Sequence, residues 1–313
     1  MATERLPLIL DVDTGIDDAL ALALALGDPH AELVAATTVA GNVDVDQATA
    51  NTLRVLDFLG ATHVPVHRGA SKPLVRELRD ARYFHGRDGL GEAPIPASQR
   101  QAELVRGPAA IIRLARERPG QIVLVCLGPL TNLAIALNVA PDLPAYLRRI
   151  VIMGGAFWQP GNVTAHAEFN IYVDPEAAAE VVAVRNLDVT VLGLDVTHRV
   201  ALPKAVWVDA AGRDNPAAKL VAAICPWMET HHRKTGMFLH DPMAVAAALD
   251  PTLVTCAERS VTVSCAPETR GETLAVRAGH VKVAEHVDGG RFAQRFANAL
   301  GLQWLEMTNV EAM

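Results

Sequence analysis

The sequence predicts an α/β fold: an open, mainly parallel, Rossmann-like sheet flanked by helices, with extra antiparallel strands near the C-terminus. Three observations predict it. Apolar runs of strand length alternate with helix-length segments through residues 6–194, as in parallel α/β sheets. Clusters rich in Asp, Asn and Gly come directly after those runs, at the carboxyl ends of strands, where open α/β sheets carry ligands. Beyond Pro251 the alternation gives way to successive β-type runs. A chain of 313 residues, half of them apolar, can bury a large core, and its length suits one domain over 1–313.

The first strand is the run at 6–12. Residues 18–26 alternate Ala and Leu in a way that superficially suggests a strand. Both residues are strong helix formers, and Gly27-Asp28-Pro29 supplies a stop, so the segment reads as a buried helix. A strand at 33–39 and helices at 47–59 and 102–117 follow, then a strand at 121–127 and a helix at 131–138. Next come a strand at 150–153, a helix at 175–184, a strand at 188–194, and helices at 217–231 and 242–249. Gly60, Gly120 and Gly236 punctuate three of these helices. The late β-type runs are 260–265, 272–276 and 281–287, and residues 291–300 close the chain as a helix. No internal repeat or linker-like tract interrupts this series.

Net charge is −7, and no run of Lys or Arg is long enough to track a phosphate backbone, so nucleic acid is not an expected partner. Near the N-terminus a charged pair, Glu4-Arg5, precedes a short apolar run that soon meets Asp11. That run lacks the length of a leader or membrane span, so no membrane partner and a cytoplasmic location are expected. Cys126, Cys225, Cys256 and Cys265 show no metal-binding spacing and read as buried free thiols. Asn162-Val163-Thr164 fits a glycosylation sequon, which carries no weight without a secretory signal.

Asp11, Asp13, Asp17 and Asp18 put four carboxylates within eight residues at a strand-to-helix turn. A helix N-terminus favours negative charge and accounts for Asp17 and Asp18, but not for Asp11 and Asp13 on the incoming strand. A divalent cation accounts for all four. An all-oxygen donor set favours Ca²⁺ or Mg²⁺ over zinc, and several carboxylates with room for carbonyls and waters suit the larger Ca²⁺. An EF-hand loop is excluded, because its Gly and Glu positions hold Ile16 and Leu22 when counted from Asp11. Asp11-Val12-Asp13-Thr14-Gly15 also resembles the signature of haloacid-dehalogenase-type phosphatases, in which Asp11 would be the phosphorylated nucleophile. No later segment completes that pattern, and it leaves Asp17-Asp18 unexplained.

Extended to Asp11-Val12-Asp13-Thr14-Gly15-Ile16-Asp17-Asp18-Ala19, the same stretch resembles the signature of the inosine-uridine nucleoside hydrolase family. Further segments resemble that family in the family's order. They are Thr37-Thr38-Val39-Ala40-Gly41-Asn42, Leu127-Gly128-Pro129-Leu130-Thr131-Asn132, Met153-Gly154-Gly155, Ala167-Glu168-Phe169-Asn170, Asp174-Pro175-Glu176-Ala177 and His240-Asp241-Pro242. The resemblance implies the nucleoside hydrolase fold and hydrolysis of the N-glycosidic bond of a small-molecule ribonucleoside by a calcium-bound water.

It further implies that Asp13, Asp18, Asp241 and the carbonyl of Leu127 hold the Ca²⁺, that Asp13 is the general base, and that Asp17, Asn42, Asn162, Glu168 and Asn170 hold the ribose. Met153 and Phe169 fall in the substrate pocket, Asp11 supports the site, and Thr14 stands where some relatives have Pro. A homodimer or homotetramer is the assembly it implies. His240, fixed beside a metal ligand, would protonate the leaving base, and His85 resembles a loop histidine near the base. Phe157, Trp158, His231, His232 and Phe238 are further candidates for stacking on the base. Asp195-Val196-Thr197-His198 reads as structural support. The competing readings are the phosphatase and a non-catalytic nucleoside-binding protein.

Overall fold

The computed structural model describes residues 5–304. Its strands are β1 (Leu6–Val12), β2 (Ala31–Thr38), β3 (Val66–Arg68), β4 (Val123–Cys126), β5 (Arg149–Met153), β6 (Val189–Leu192), β7 (Ala201–Pro203), β8 (Gly236–Phe238), β9 (Val254–Val263), β10 (Thr273–Arg277) and β11 (Val281–Val287). Nine of them form one sheet in the order β10-β9-β11-β6-β5-β4-β1-β2-β3, and β7 and β8 pair separately. From β3 to β11 every neighbouring pair is parallel, and β9 runs antiparallel to both β10 and β11. The expected antiparallel extension is therefore present, joined to the parallel sheet through β11.

β1 lies inside the sheet and is apolar on both faces, as a covered parallel strand must be. Leu8, Leu10 and Val12 enter one core and Ile9 the other. Against the first face lies the helix Ile16–Gly27, whose Ala and Leu residues from Ala19 to Ala25 are all buried. A helix apolar all round belongs in the middle of a protein, and this one packs against the helix His240–Leu249. That contact brings the N-terminus of one helix, with Asp17 and Asp18, beside the N-terminus of the other, with Asp241.

The remaining differences have local causes. The helix expected at 217–231 is two, Pro216–Ile224 and Pro226–His232, because Pro226 offers no N–H and crowds the preceding turn. Arg233 in the left-handed conformation, φ 55°, ends the second of them, while Gly236 opens β8. The helix expected from residue 102 begins at Gly107, with Pro108 in its first turn. Gly193 leaves the expected strand 188–194 early and starts a helical turn, Leu194–Thr197. β9 begins at Val254, its first half hidden by side chains that are only partly buried. Cys265 is exposed in the β9–β10 connection and Cys256 is only partly buried, against the expectation of four buried thiols. No described helix is long and apolar enough to cross a membrane. Residues 1–4 and 305–313, which include the start of the N-terminal stretch and both ends of the expected domain, lie outside the described residues.

Candidate active site

Loops from the carboxyl ends of β1, β2, β4 and β5 converge on a cleft of about 310 Å³, within the usual range of small-molecule sites. Asp17, Asn42, Leu127, Asp241 and His240 line it, as do His85, Met153, Asn162, Glu168, Phe169 and Asn170. Every residue expected to hold the metal or ribose or to act on the leaving base therefore lines the cleft except Asp13 and Asp18, which are fully buried.

Asp13 directly follows β1 and is fully buried. Its Oδ2 accepts the Asn42 backbone N–H at 2.7 Å and its Oδ1 accepts Asn42 Nδ2 at 3.2 Å. Gly41 permits this approach, since a Cβ there would lie 2.0 Å from Asp13 Oδ2. Asp18 closes the turn by accepting the backbone N–H groups of Asp13 (3.2 Å) and Gly15 (2.9 Å), and it takes Asn42 Nδ2 at 3.2 Å. One asparagine thus aligns two carboxylates.

Asp11 lies within β1 and has different partners. Its Oδ1 accepts Thr37 Oγ1 at 2.5 Å and Asn132 Nδ2 at 2.7 Å. Burial pushes its pKa up to about 7, and its Oδ2 is buried without a hydrogen-bond partner. A carboxylate locked inside the protein cannot attack a phosphoester, so the phosphatase reading fails here. Asp11 instead ties β1 to β2 and to the helix Thr131–Val139.

Ligand oxygens of Asp17, Asp18 and Asp241 lie within 4.8 Å of one another. Burial first, then mutual repulsion, pushes Asp17 up to about 7 and Asp241 well above the ordinary carboxylate range. Among the described residues none of Asp13, Asp17, Asp18 and Asp241 pairs with a cationic side chain. Gathering unpaired carboxylates away from water is costly, and a cation is the counter-charge that reverses the cost. The donors are all hard oxygens, so the residues fit a divalent metal ion. Asp17 stands in this set, and Asp13 is held by Asn42 next to Asp18. The Leu127 carbonyl accepts Asn170 Nδ2 at 2.7 Å and keeps a second lone pair.

On the sugar side, Glu168 caps the short helix Phe169–Val173. It accepts the backbone N–H groups of Asn170 (2.9 Å), Gly155 (3.1 Å) and Ile171 (3.2 Å), while burial raises its pKa. Asn162 Oδ1 accepts the Phe169 N–H at 3.0 Å, which fixes the loop that carries both. Asn170 Nδ2 also reaches the Met153 carbonyl at 3.2 Å, linking the ends of β4 and β5.

On the other side His240 Nδ1 lies 2.8 Å from Thr197 Oγ1. Burial, followed by the fields of His198, His85 and Lys234, pushes the His240 pKa down to about 3, so its imidazole is neutral at pH 7. His85 is buried, and its Nδ1 accepts the Ile16 N–H at 3.1 Å. Of the five stacking candidates only Phe238 lines the cleft, with its ring 4.4 Å from that of His198. Phe157 packs on the second core, Trp158 lies against Arg259, His231 stacks on Trp227, and His232 stacks on Phe84. Asp195 accepts the N–H groups of Phe157 (3.0 Å) and Trp158 (2.8 Å). Sequence reasoning missed Phe84, His198 and Lys234 as lining residues. His198 sat in a segment already singled out, whereas Lys234 carried no signal.

The family described as "Inosine-uridine preferring nucleoside hydrolase" matches residues 8–294. The chain is 41% identical over 272 residues to the pyrimidine-specific ribonucleoside hydrolase RihA of Enterobacter sp. (strain 638), covering 85% of each chain. It is 37% identical to the probable uridine nucleosidase 2 of Arabidopsis thaliana, covering 87% of this chain and 86% of that one. Among solved structures, the purine-preferring ribonucleoside hydrolase from Gardnerella vaginalis superposes with a TM-score of 0.89 at 36% identity, covering 94% of this chain and 98% of that one.

Proposed function

The chain belongs to the inosine-uridine preferring nucleoside hydrolase family and is an N-glycosyl hydrolase, and from its cleft we propose that Asp13 is the general base and that Asp13, Asp18, Asp241 and the Leu127 carbonyl hold one Ca²⁺. This reading takes 1–313 as a single catalytic domain. The observation that carries it is the convergence of Asp17, Asp18 and Asp241 beside an Asp13 aligned by Asn42.

When bound, Ca²⁺ lowers the pKa of the attacking water and offsets the charge of the acids. Asp13 accepts the water's proton as the oxygen attacks the anomeric carbon. Asp17, half-buried and facing the cleft, takes a ribose hydroxyl together with Asn42, Asn162 and Asn170. The carboxylate of Glu168 and the surrounding amide oxygens favour the positive charge that develops on an oxocarbenium-like sugar. The glycosidic electron pair leaves with the base, towards His240 and His85. RihA is named for pyrimidines and the Gardnerella enzyme for purines, so the relatives divide on the size of the base.

A reducing-sugar and free-base assay on a ribonucleoside panel, with and without chelator, tests this reading. Base release abolished by chelator and restored by Ca²⁺ is expected; release indifferent to strong chelation sinks the metal role. If the ribose grip strengthens in the transition state, 2′-deoxyuridine should show a kcat/KM about 10²-fold below that of uridine. Equal values would remove Asp17 and its amide neighbours from the ribose.

The carboxylates also predict a pH dependence. A carboxyl raised to about 7 in the fold, like that of Asp17, binds more protons folded than unfolded between pH ~4 and ~7. Stability of the metal-free protein therefore falls as pH rises through that window. Because the cation needs the deprotonated form, Ca²⁺ should raise Tm more at about pH 8 than at about pH 5. Differential scanning fluorimetry measures both, and a calcium effect larger at the lower pH would contradict the assignment.

A further inference from the structure

The base side of the cleft has a consistent hydrogen-bonding character. A backbone amide can only donate, so the Ile16 N–H held 3.1 Å from His85 Nδ1 makes that nitrogen the acceptor and leaves the ring hydrogen on Nε2. Gly15 allows the contact, since a Cβ there would lie 2.7 Å from His85 Nδ1. Burial keeps the ring neutral, with its pKa lowered to about 3, so the donor is not lost to titration near pH 7.

The second donor is Lys234. Its backbone follows the left-handed turn at Arg233 and is held by its N–H to the Met228 carbonyl at 3.0 Å. Its side chain is half-buried, and it lines both the cleft and a recess of about 40 Å³ at the cleft's edge, which His85 also lines. The other walls include Phe84, Met237 and Phe238, apolar surface that weakens competition from water. Asp17 is the acidic acceptor that reaches the recess, and the ribose contact proposed above already claims it. An ammonium carries three donors and no acceptor, and the Nε2–H of neutral His85 adds another, so hydrogens predominate on this side of the recess.

We propose that Lys234, with His85 beside it, selects nucleobases that present a ring carbonyl to this recess, as uracil and hypoxanthine do, over those with an exocyclic amine at that position, as in cytosine and adenine. This rests on the reading of the cleft as a ribonucleoside hydrolase site. Selection then acts on the exocyclic group and not on ring size, the property on which the relatives divide. An amine facing Lys234 sets donor against donor and leaves the ammonium without a partner in an apolar corner, the situation in which polar discrimination is strongest. Negative charge on the departing base spreads onto its carbonyl oxygen. The Lys234 contact therefore strengthens in the transition state and acts on kcat as well as on KM.

The test measures kcat/KM for uridine, cytidine, inosine and adenosine with the calcium-loaded full chain and its Lys234→Met and Lys234→Arg variants. The wild type should favour uridine over cytidine and inosine over adenosine by about 10-fold or more, the discrimination expected of a half-exposed cation that can partly retreat to water. Lys234→Met should collapse both ratios towards unity by lowering the carbonyl substrates, and Lys234→Arg should keep most of each. The ratios are internal controls, because a damaged fold slows all four substrates alike. Wild-type ratios near unity, or ratios unchanged in Lys234→Met, overturn the proposal while leaving the hydrolase reading intact. Failure of the wild type to release base from any of the four overturns that reading and this proposal together.

Discussion

Asp13→Asn should lower kcat on every ribonucleoside by about 10²-fold or more, the scale of a lost general base, whichever base departs. The substitution keeps an oxygen that can face the cation and the Asn42 N–H, now 2.7 Å from Oδ2. The amide it introduces falls where Oδ1 receives Asn42 Nδ2 at 3.2 Å, the longer of the two contacts. What it cannot do is take a proton from water. Burial and the neighbouring Asp18 charge hold Asp13 well above the ordinary carboxylate range, so exchanging it for a neutral amide relieves repulsion in the metal-free fold. The metal-free variant should therefore melt no lower than the wild type, and the activity loss should not trace to unfolding. Turnover within about 10-fold of wild type, with calcium bound, would move the base role away from Asp13.

Parts of this site were legible because they are short-range. Asp11 to Asp18 lie in one strand-turn-helix segment, and the Asp17-Asp18 pair beside an apolar Ala-Leu helix already implied buried acids in need of a counter-charge. What the sequence did not separate was the work of neighbouring acids. Asp11 and Asp13 differ by one turn of the strand's alternation, yet one is tied to Thr37 and Asn132 and the other to Asn42. The base side was less legible because it is assembled from distant pieces too short to show periodicity. The three-residue strands β7 and β8 pair Ala201 with Phe238, and that ladder sets His198 against Phe238 and brings the Lys234 turn to the cleft. The break at Pro226 and the left-handed Arg233 decide where that turn points, and neither follows from a helical reading of 217–231. Long-range pairing of short elements depends on the assembled fold, so composition and spacing cannot reach it.

His240→Ala should slow natural nucleosides by about 10²-fold while slowing a p-nitrophenyl riboside far less, because that leaving group departs without a proton. His240 stands one residue before Asp241, at the first turn of a helix packed on Ile16–Gly27, and Thr197 Oγ1 sits 2.8 Å from its Nδ1. With Nδ1 engaged there, Nε2 is the nitrogen left to meet the base. Burial and the nearby His198 hold the ring neutral, its pKa down at about 3. The group is then a weak acid until negative charge grows on the departing base, and the contact gains strength only as the glycosidic bond breaks. That timing separates two accounts of the residue. A donor to the leaving group affects substrates according to how much their leaving groups need a proton, whereas a prop for Asp241 affects the metal site and all substrates together. Thr197→Val should reproduce part of the substrate-dependent loss, and Thr197→Ser should restore it, since only the hydroxyl is needed at Nδ1. Equal slowing of uridine and p-nitrophenyl riboside in His240→Ala, accompanied by weaker calcium binding, would assign His240 to holding Asp241 in place.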